Sequence, residues 1–279
     1  MASRSTVVTG AGRGLGRAMA LGLLEAGHNV IAIDRDPQEL AALEHAAKRG
    51  GQVACLAVDL TLSDSAKSIL AFAEQKFGPV ACLVNCAGIG QEIISATFAT
   101  EPVKFWTVGE DIWKLIFAVN ADAVFRLCAA VTPGMIARGW GRIINVTTSL
   151  ETMIRPGMSP YGPAKAANEA LSAIMAKDLQ GTGVTVNVLV PGGPAATRMM
   201  PGFVDTAPEK LISPDVMVPP IVWLLSKASD GVTGQRFRAN AWKADMDPVE
   251  AARVSGAPAA WPGLAGGAAQ ANYAPKQSA

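Results

Sequence analysis

Histidine and cysteine are scarce in this chain of 279 residues, which contains two and four of them respectively. The cysteines form no C-x-x-C pair, and a zinc site needs several such ligands at short spacing, so the sequence predicts no metal site. We interpret the cysteines as small buried side chains of a protein in a reducing compartment. They are Cys55, Cys82, Cys86 and Cys128.

Neither sign of charge is in excess, because 24 basic residues face 23 acidic ones. Without a basic patch, we expect no nucleic-acid partner and no anionic membrane surface as a partner. No uninterrupted apolar run reaches the roughly eighteen residues of a membrane span. Glycines and arginines also break the apolar run of residues 1–30, where a secretory signal needs an unbroken one. We therefore expect a cytoplasmic protein.

Hydrophobic residues make up 50% of the chain and charged residues 17%, a balance typical of a compact globular protein. Short β-branched runs alternate along the chain with longer helical patterns. Most of these runs are apolar throughout, as expected of strands whose sheet is covered on both faces. The predicted strands are 6–9, 30–33, 53–58, 82–85, 142–147, 184–190 and 235–239.

Helical patterns separate the predicted strands. One covers residues 14–26, a second begins at Asp36-Pro37, and a third covers 216–227 after Ser213-Pro214; both X-Pro pairs suit a helix start. The repeated alternation predicts an α/β fold of the Rossmann type, a doubly wound parallel sheet of about seven strands. We assign residues 1–242, which contain all of the predicted strands, to one domain. Residues 243–279 form an Ala-, Gly- and Pro-rich tail, either loosely ordered or wrapped around a neighbouring subunit.

A glycine cluster lies between the first predicted strand and the first predicted helix. Glycine lets the backbone turn tightly and approach a pyrophosphate closely, and the helix start offers free N–H groups to the phosphate. The position at the first βα junction is the context that this motif requires. The predicted cofactor-binding residues of the turn are Gly10, Gly12, Arg13, Gly14, Leu15 and Gly16.

The second predicted strand ends at Asp34, about 20 residues beyond the glycines, where a carboxylate accepts hydrogen bonds from the adenosine ribose. The same charge repels the extra phosphate of NADP by roughly 4 kcal/mol at about 4 Å and an effective dielectric near 20. Arg13 and Arg35 are close enough in sequence to offset that repulsion. We expect NAD as the cofactor, with NADP as the alternative.

Tyr161 and Lys165 are four residues apart before an Ala-rich helical stretch, which places them one turn apart on the same helix face. A nearby ammonium group stabilises a phenolate, so we expect Lys165 to lower the pKa of Tyr161. A phenol tuned in this way acts as a general acid toward a ketone or as a base toward an alcohol.

Together these motifs resemble the short-chain dehydrogenase/reductase family, with matching positions from Thr6 to about Ala239. The resemblance implies that Tyr161 is the general acid/base and that Lys165 also holds the nicotinamide ribose. It further implies that Asn120 positions a water of the proton relay, and it adds cofactor contacts along the chain. Those contacts are Asp59, Leu60, Asn85, Ala87, Gly88, Pro191, Gly192 and Thr197.

The chain departs from the family pattern at three places. The serine that binds the substrate oxygen is replaced, and either Thr148 or Ser149 supplies the hydroxyl. The stretch that ends at Thr197 is one residue longer than usual. The last predicted strand lacks the usual Asp-Gly-Gly and continues into Trp242.

The sequence thus predicts an NAD-dependent oxidoreductase that interconverts a secondary alcohol and a ketone. An NADPH-dependent ketone reductase and a non-catalytic dinucleotide-binding protein are the alternatives. We expect a small-molecule substrate and, from the resemblance, a homodimer or homotetramer. Apolar side chains in the long connection 89–111 and beyond could line the substrate pocket or belong to the core. They are Phe98, Phe105, Trp106, Met153, Met158, Met199 and Met200.

Overall fold

The computed structural model describes residues 4–47, 50–201, 209 and 211–264. Within that part of the chain eight strands form one sheet, and all seven predicted strands are confirmed. They are β1 (Ser5–Thr9), β2 (Asn29–Asp34), β3 (Val53–Ala57), β4 (Cys82–Asn85), β5 (Gly141–Val146), β6 (Val184–Val190), β7 (Gln235–Arg238) and β8 (Gly256–Pro258). Their order is β3-β2-β1-β4-β5-β6-β7-β8. The first seven are parallel, and β8 is antiparallel to β7.

Helices cover both faces of the sheet, as the sequence predicts. They are α1 (Gly14–Glu25), α2 (Pro37–Ala46), α3 (Ser65–Phe77), α4 (Glu110–Phe117), α5 (Ala123–Ala137), α6 (Leu150–Ile154), α7 (Tyr161–Asp178), α8 (Val218–Leu224) and α9 (Pro248–Ser255). The helix predicted over 216–227 is shorter, because a 3-10 turn at Pro214–Met217 precedes α8. The Asp36 side chain caps α2 as predicted, accepting from the amides of Gln38 and Glu39.

Two apolar layers lie on opposite faces of the sheet. One contains Met19 and Leu23 of α1 with Ile221 of α8. The other contains Ile69 of α3 and Leu127 of α5. The side chains of the central strands are inaccessible on both faces, which explains why these strands are apolar throughout rather than alternating.

The strand order reverses between β1 and β4, which are neighbours in the sheet although β2 and β3 separate them in sequence. At such a switch point the connections leave in opposite directions and open a crevice beyond the carboxyl ends of the strands. A cavity of about 1180 Å³ lies at this edge. Its wall includes residues of the glycine turn and residues that follow β4, β5 and β6.

The first part of the predicted tail is structured. The capping arrangement of α2 recurs at Asp247, whose side chain accepts from the amides of Val249 and Glu250 at the start of α9. The chain then returns as β8 to pair with β7, which adds an eighth strand to the seven expected. The rest of the tail, from residue 265, lies outside the described residues.

Among the described residues, one helical stretch, Glu110–Ala137, is long and apolar enough to cross a membrane by length and composition. Of its apolar 18-residue window, 39% is buried inside the protein. It comprises α4, a π-helical turn at Ala118–Asp122 and α5. Core helices pass the same test, and the α5 side chains Leu127 and Val131 belong to the core. The absence of a membrane span stays a prediction.

Candidate active site

The glycine turn packs against the end of β4. Gly10 has φ +67°, and a Cβ there would lie 2.8 Å from the backbone of Ala87. A Cβ on Gly16 would lie 2.0 Å from the Gly10 carbonyl oxygen. The Thr9 hydroxyl accepts hydrogen bonds from the amides of Cys86 and Ala87 at 3.0 and 3.1 Å. Side chains at these glycines would therefore push the turn away from β4 and close the cradle.

The amino end of α1 opens into the cavity beside this turn. Arg13 occupies the cap position without a side-chain capping bond, so among the described residues no side chain caps this end. Free N–H groups and the helix dipole at such an end favour an anion. A glycine cradle that Cβ atoms would fill, followed by an uncapped helix start, fits the pyrophosphate of a dinucleotide.

Asp34 ends β2 at the cavity wall, and its orientation is fixed by the backbone. Its Oδ2 accepts from the Gly12 amide at 3.0 Å, and its Oδ1 accepts from the Asp36 amide at 3.2 Å. A carboxylate has about four acceptor positions, so it can still accept from ribose hydroxyls. Gly12 itself does not line the cavity; it holds Asp34.

A second carboxylate, Glu39 of α2, lines the cavity beside Asp34. A Cβ on Gly12 would lie 2.7 Å from the Glu39 Cβ and 2.9 Å from Asp34 Oδ2, so the three residues meet at one point. Glu39 also forms an ion pair with Arg198, with 2.8 Å between Oε1 and Nη2. Arg198 follows Thr197, whose methyl group lies over Gly14.

Cations line the same region. Arg13 and Arg35 are exposed at the cavity wall, as predicted from their positions beside the turn and Asp34.

Asp59 lines the wall as well, and its side chain accepts from the Thr61 amide and hydroxyl, both at 2.8 Å. These two hydrogen bonds lower the pKa of Asp59, so it stays ionised.

Tyr161 begins α7 and is buried, with Lys165 one turn later. The Lys165 Nζ lies 5.9 Å from the Tyr161 ring centre and donates to the Val146 carbonyl at 2.9 Å. Burial lowers the pKa of Lys165 to about 8 and raises the pKa of Tyr161 to about 12. The expected lowering of the Tyr161 pKa by Lys165 is therefore wrong for the protein without cofactor, because desolvation outweighs the other effects. A hydrogen bond with the Thr148 side chain lowers the Tyr161 pKa in part.

The two candidate hydroxyls after β5 have different partners. Ser149 caps α6: its Oγ accepts from the Thr152 amide at 3.1 Å and lies 2.8 Å from the Thr152 hydroxyl. Thr148 is half-buried, lines the cavity and hydrogen-bonds to Tyr161. Thr147, one residue earlier, is also at the cavity wall, but it is buried and its hydroxyl donates to Glu169.

Asn120 is fully buried in the π-helical turn between α4 and α5. Its side chain accepts from the Ile89 amide at 3.0 Å and donates to the Ile89 carbonyl at 2.7 Å. A Cβ on Gly88 would lie 3.2 Å from Asn120 Oδ1 and 3.4 Å from Lys165 Nζ. Asn120 thus ties the segment after β4 to the region of Lys165, behind the cavity wall. A π-turn inside an α-helix frequently accompanies a functional site.

The predicted site residues all line this one cavity except Gly12, Asn85 and Asn120. Asn85 is buried beneath the cavity, where its side chain donates to Asn145 Oδ1 at 2.8 Å. It therefore joins β4 to β5 instead of facing a ligand. Pro191, Gly192 and Thr197 are at the wall as predicted.

The apolar residues suggested for the pocket divide into two groups. Phe98, Met158, Met199 and Met200 line the cavity. Phe98 and Met158 form a small apolar cluster with Tyr161, and Met199 and Met200 pack against that cluster. The other three do not line it: Phe105 and Trp106 are about 70% exposed, and Met153 is a buried residue of α6.

Sequence reasoning missed Glu92, Glu39 and Arg155, which also line the cavity. Glu92 Oε1 accepts from the Gly90 amide at 3.1 Å. Its Oε2 is buried and has no hydrogen-bond partner among the described residues. Burial raises the pKa of Glu92. A lone acidic residue in an irregular connection gives no periodic signal, so only the fold brings it to the site.

No group of three or more His, Cys, Asp or Glu side chains in the described ranges could hold a metal ion. The four cysteines are free, with Cys82 and Cys128 buried and the other two partly so. Burial raises the pKa of each thiol, so all four are neutral near pH 7. Cys86, which lines the cavity, therefore places no negative charge beside Lys165.

Comparison with known proteins agrees with this geometry. Residues 4–207 match the family model described as short chain dehydrogenase. A short chain dehydrogenase of Pseudocercospora fijiensis is 35% identical over 190 residues, which are 68% of this chain and only 59% of that relative. Gluconate 5-dehydrogenase of Gluconobacter oxydans is 30% identical over 230 residues, which cover 82% of this chain and 81% of the relative.

A crystal structure of gluconate 5-dehydrogenase from Burkholderia cenocepacia, in complex with NADP and tartrate, is similar in fold. The TM-score is 0.73 at 29% sequence identity, and the match covers 85% of this chain and 94% of that one.

The fold and the cavity define a Rossmann-type dinucleotide-binding enzyme. The chain belongs to the short-chain dehydrogenase family and is an oxidoreductase that uses NAD or NADP.

Proposed function

We propose that this enzyme interconverts a secondary alcohol and a ketone, with the Tyr161 phenol exchanging the proton. One observation carries the proposal: Tyr161, Thr148 and Lys165 line the same cavity as the glycine turn. A substrate carbon beside the phenol therefore shares a single space with a dinucleotide held on that turn.

Each residue of the site has its own role in the proposed reaction. Tyr161 gives its proton to a ketone oxygen or takes one from an alcohol. The Thr148 hydroxyl holds the same oxygen, whereas Ser149 is occupied as the cap of α6. Lys165 is mostly protonated at pH 7, since its pKa is about 8, and provides the positive charge near the phenol. Asn120 keeps the segment after β4 in place, and a bound nicotinamide supplies or accepts the hydride.

We propose NAD as the preferred cofactor. Asp34 and Glu39 bring two carboxylates to the wall where the ribose of a dinucleotide would lie. A phosphate on that ribose would lie close to both. Each unit charge at about 4 Å costs roughly 4 kcal/mol at an effective dielectric near 20, a factor of about a thousand in affinity.

An NADPH-dependent ketone reductase is the second candidate. It is favoured by Arg13 and Arg35, which are exposed at the same wall and could pair with the extra phosphate. The similar Burkholderia protein was crystallised with NADP. Glu39 weighs against it, although its ion pair with Arg198 neutralises part of its charge.

Titration of the purified protein with NADH and with NADPH, followed by nicotinamide fluorescence, tests the cofactor. We expect tight NADH binding, weak NADPH binding, and a gain in NADPH affinity in Asp34→Asn and Glu39→Gln. Arg35→Ala is the matched control and should leave NADH affinity unchanged. Tight NADPH binding that Arg35→Ala abolishes would establish the second candidate instead. If neither nucleotide bound, the protein would have the family's fold without its cofactor.

Turnover is then measured by NADH absorbance with a panel of secondary alcohols and ketones. The panel should contain apolar members such as cyclohexanol and hydroxylated acids such as gluconate. The methionines and Phe98 favour an apolar substrate, and Glu92 and Arg155 favour a polar one. Turnover of no member, with intact NADH binding, would count against the proposed reaction and for a binding role.

We also propose that the protein works in the cytoplasm as a homodimer or homotetramer. The helix α7 offers small side chains for close packing against a partner: Ala167 is exposed, and Ala166, Ala170 and Ala173 are half-buried. Light scattering after size exclusion gives the mass of the assembly.

A further inference from the structure

Val146, the last residue of β5, and Thr147, which follows it, are held from α7. Lys165 Nζ donates to the Val146 carbonyl at 2.9 Å. One turn further along α7, Glu169 Oε2 accepts from the Thr147 hydroxyl at 2.7 Å. Because Lys165 and Glu169 are four residues apart, one face of α7 fixes consecutive residues of the strand end.

Thr148 is held from the other side by β7. Arg236 Nη2 donates to the Thr148 carbonyl oxygen, and Arg236 Nη1 donates to the Thr147 hydroxyl at 3.2 Å. The same Nη1 pairs with Glu169 Oε2 at 2.9 Å. One planar guanidinium therefore joins the carboxylate to two adjacent residues of the active-site segment, and the rigid fork of arginine suits such a role.

The ion pair lies deep in the protein, with the Glu169 side chain 0% and the Arg236 side chain 8% exposed. Burying two charges is expensive, and apolar replacements of such pairs are often neutral or stabilising. Stability alone is therefore a poor reason for charges at this place. The contacts of the pair give a better reason, because Arg236 and Glu169 both hydrogen-bond to the segment Thr147–Thr148.

The structured part of the tail completes this network. The Ala260 amide donates to Glu169 Oε1 at 3.2 Å, so both oxygens of the carboxylate are engaged. The Ala259 amide donates to the Gly234 carbonyl at 2.9 Å just before β7. The return of the chain through β8 thus brings its own backbone to the rear of the active site.

We propose that Arg236 and Glu169 are positioning residues that hold the Thr148 hydroxyl in the orientation needed at Tyr161. The proposal rests on the proposed role of Thr148. Neither residue touches substrate or cofactor: Glu169 and Arg236 are absent from the described cavity wall. They act through the Thr147 hydroxyl and the Thr148 carbonyl.

A double-mutant cycle between Arg236→Met and Thr148→Val tests the coupling. We expect Arg236→Met to lower kcat on the order of 10²-fold, the cost of a misplacement near 1 Å, with little change in NADH affinity. In the Thr148→Val background the same change should cost almost nothing more, since the group it positions is gone. Arg236→Lys keeps the charge but loses the fork, and it should recover part of kcat.

Arg142→Met is the matched control. Arg142 is another buried arginine with an acidic partner, Asp230, but it lies at the amino end of β5, away from the cavity. Its loss should lower the free energy of unfolding and combine additively with Thr148→Val. A purely structural Arg236 would behave in the same additive way, and that result would overturn the proposal.

Hydrogen exchange supplies a readout that needs no turnover. In Arg236→Met, the peptide that covers residues 145–150 should exchange faster than in the parent protein, and in Arg142→Met it should not. Unchanged exchange in folded Arg236→Met would refute the positioning role even if kcat were lowered. If Arg236→Met does not fold, the exchange comparison is made with Arg236→Lys and Glu169→Gln. If no substrate of the panel were turned over, the proposed reaction would be refuted. The exchange result would still decide whether Arg236 and Glu169 hold the segment Thr147–Thr148.

Discussion

Glu92 and Tyr161 lie in the wall of one cavity, and the Glu92 carboxylate is one of the charges that raise the pKa of the Tyr161 phenol. Burial raises the pKa of Glu92 in turn. The ionised Glu92 carboxylate disfavours the phenolate, because a negative charge makes the loss of a second proton nearby harder.

Glu92→Gln removes one negative charge from this pair, so the pKa of Tyr161 should fall. Alcohol oxidation needs the phenolate as base, and its rising limb with pH should therefore move to lower pH. The measurement is kcat/KM for oxidation across the alkaline range. Glu151→Gln is the control, since Glu151 also lines the cavity but is exposed, and its profile should match the parent protein.

Tyr161→Phe should lose on the order of 10²–10⁴ in kcat, the usual contribution of a general acid/base. The variant keeps the ring that packs against Phe98 and Met158, so its NADH affinity and thermal unfolding should stay near those of the parent. Near-full activity in this variant would show that another group exchanges the proton.

The neighbouring hydroxyls should respond differently to removal. Ser149→Ala deletes the cap of α6 and should cost about 1 kcal/mol in the free energy of unfolding, with kcat nearly unchanged. Thr148→Val keeps the shape of the side chain and should instead lower kcat with little loss of stability. Denaturant unfolding and steady-state kinetics on both variants decide the assignment. If Ser149→Ala lowered kcat and Thr148→Val lowered stability, Ser149 would be the substrate contact instead.

His28 should make the fold sensitive to mild acid. Burial lowers its pKa from 6.5 to about 4, and its Nδ1 lies 2.8 Å from the Thr6 hydroxyl. Between pH 6.5 and 4 the unfolded chain binds a proton at His28 that the folded chain does not bind. The stability that comes from the neutral imidazole is therefore present above pH 6.5 and is lost as pH falls toward 4. The loss should approach about 3 kcal/mol.

The comparison of the parent protein with His28→Gln isolates this contribution from other acidic groups. Free energies of unfolding are measured at intervals between pH 7 and 4. The variant should lose less stability than the parent across that window, and parallel curves would exclude His28 as the cause.

The sequence predicts the sheet well because its signals are local. Seven apolar runs and the glycine turn each carry their own periodicity or spacing, and the position of Asp34 after β2 follows from them. β8 gives no such signal: Gly256–Pro258 is three residues long and contains a proline. It forms because β7 offers an unpaired edge, which is a tertiary condition.

In the candidate site, too, the features with a local sequence signal can be predicted and those that depend on tertiary structure cannot. Tyr161 and Lys165 are recognisable from their spacing, whereas the direction of the Tyr161 pKa shift depends on burial that spacing cannot reveal. The choice between Thr148 and Ser149 depends on the start of α6. Arg236 and Glu169 are 67 residues apart and meet only because the fold places both β7 and α7 against β6.

The eighth strand also limits how copies of this chain can join. A parallel sheet that ended at β7 would expose a row of backbone donors and acceptors to any neighbouring strand. Here β8 occupies that row over Gln235, Arg236 and Phe237, and its outer side includes Pro258, which has no N–H to give. Direct pairing of a second sheet with β7 would therefore require the displacement of β8.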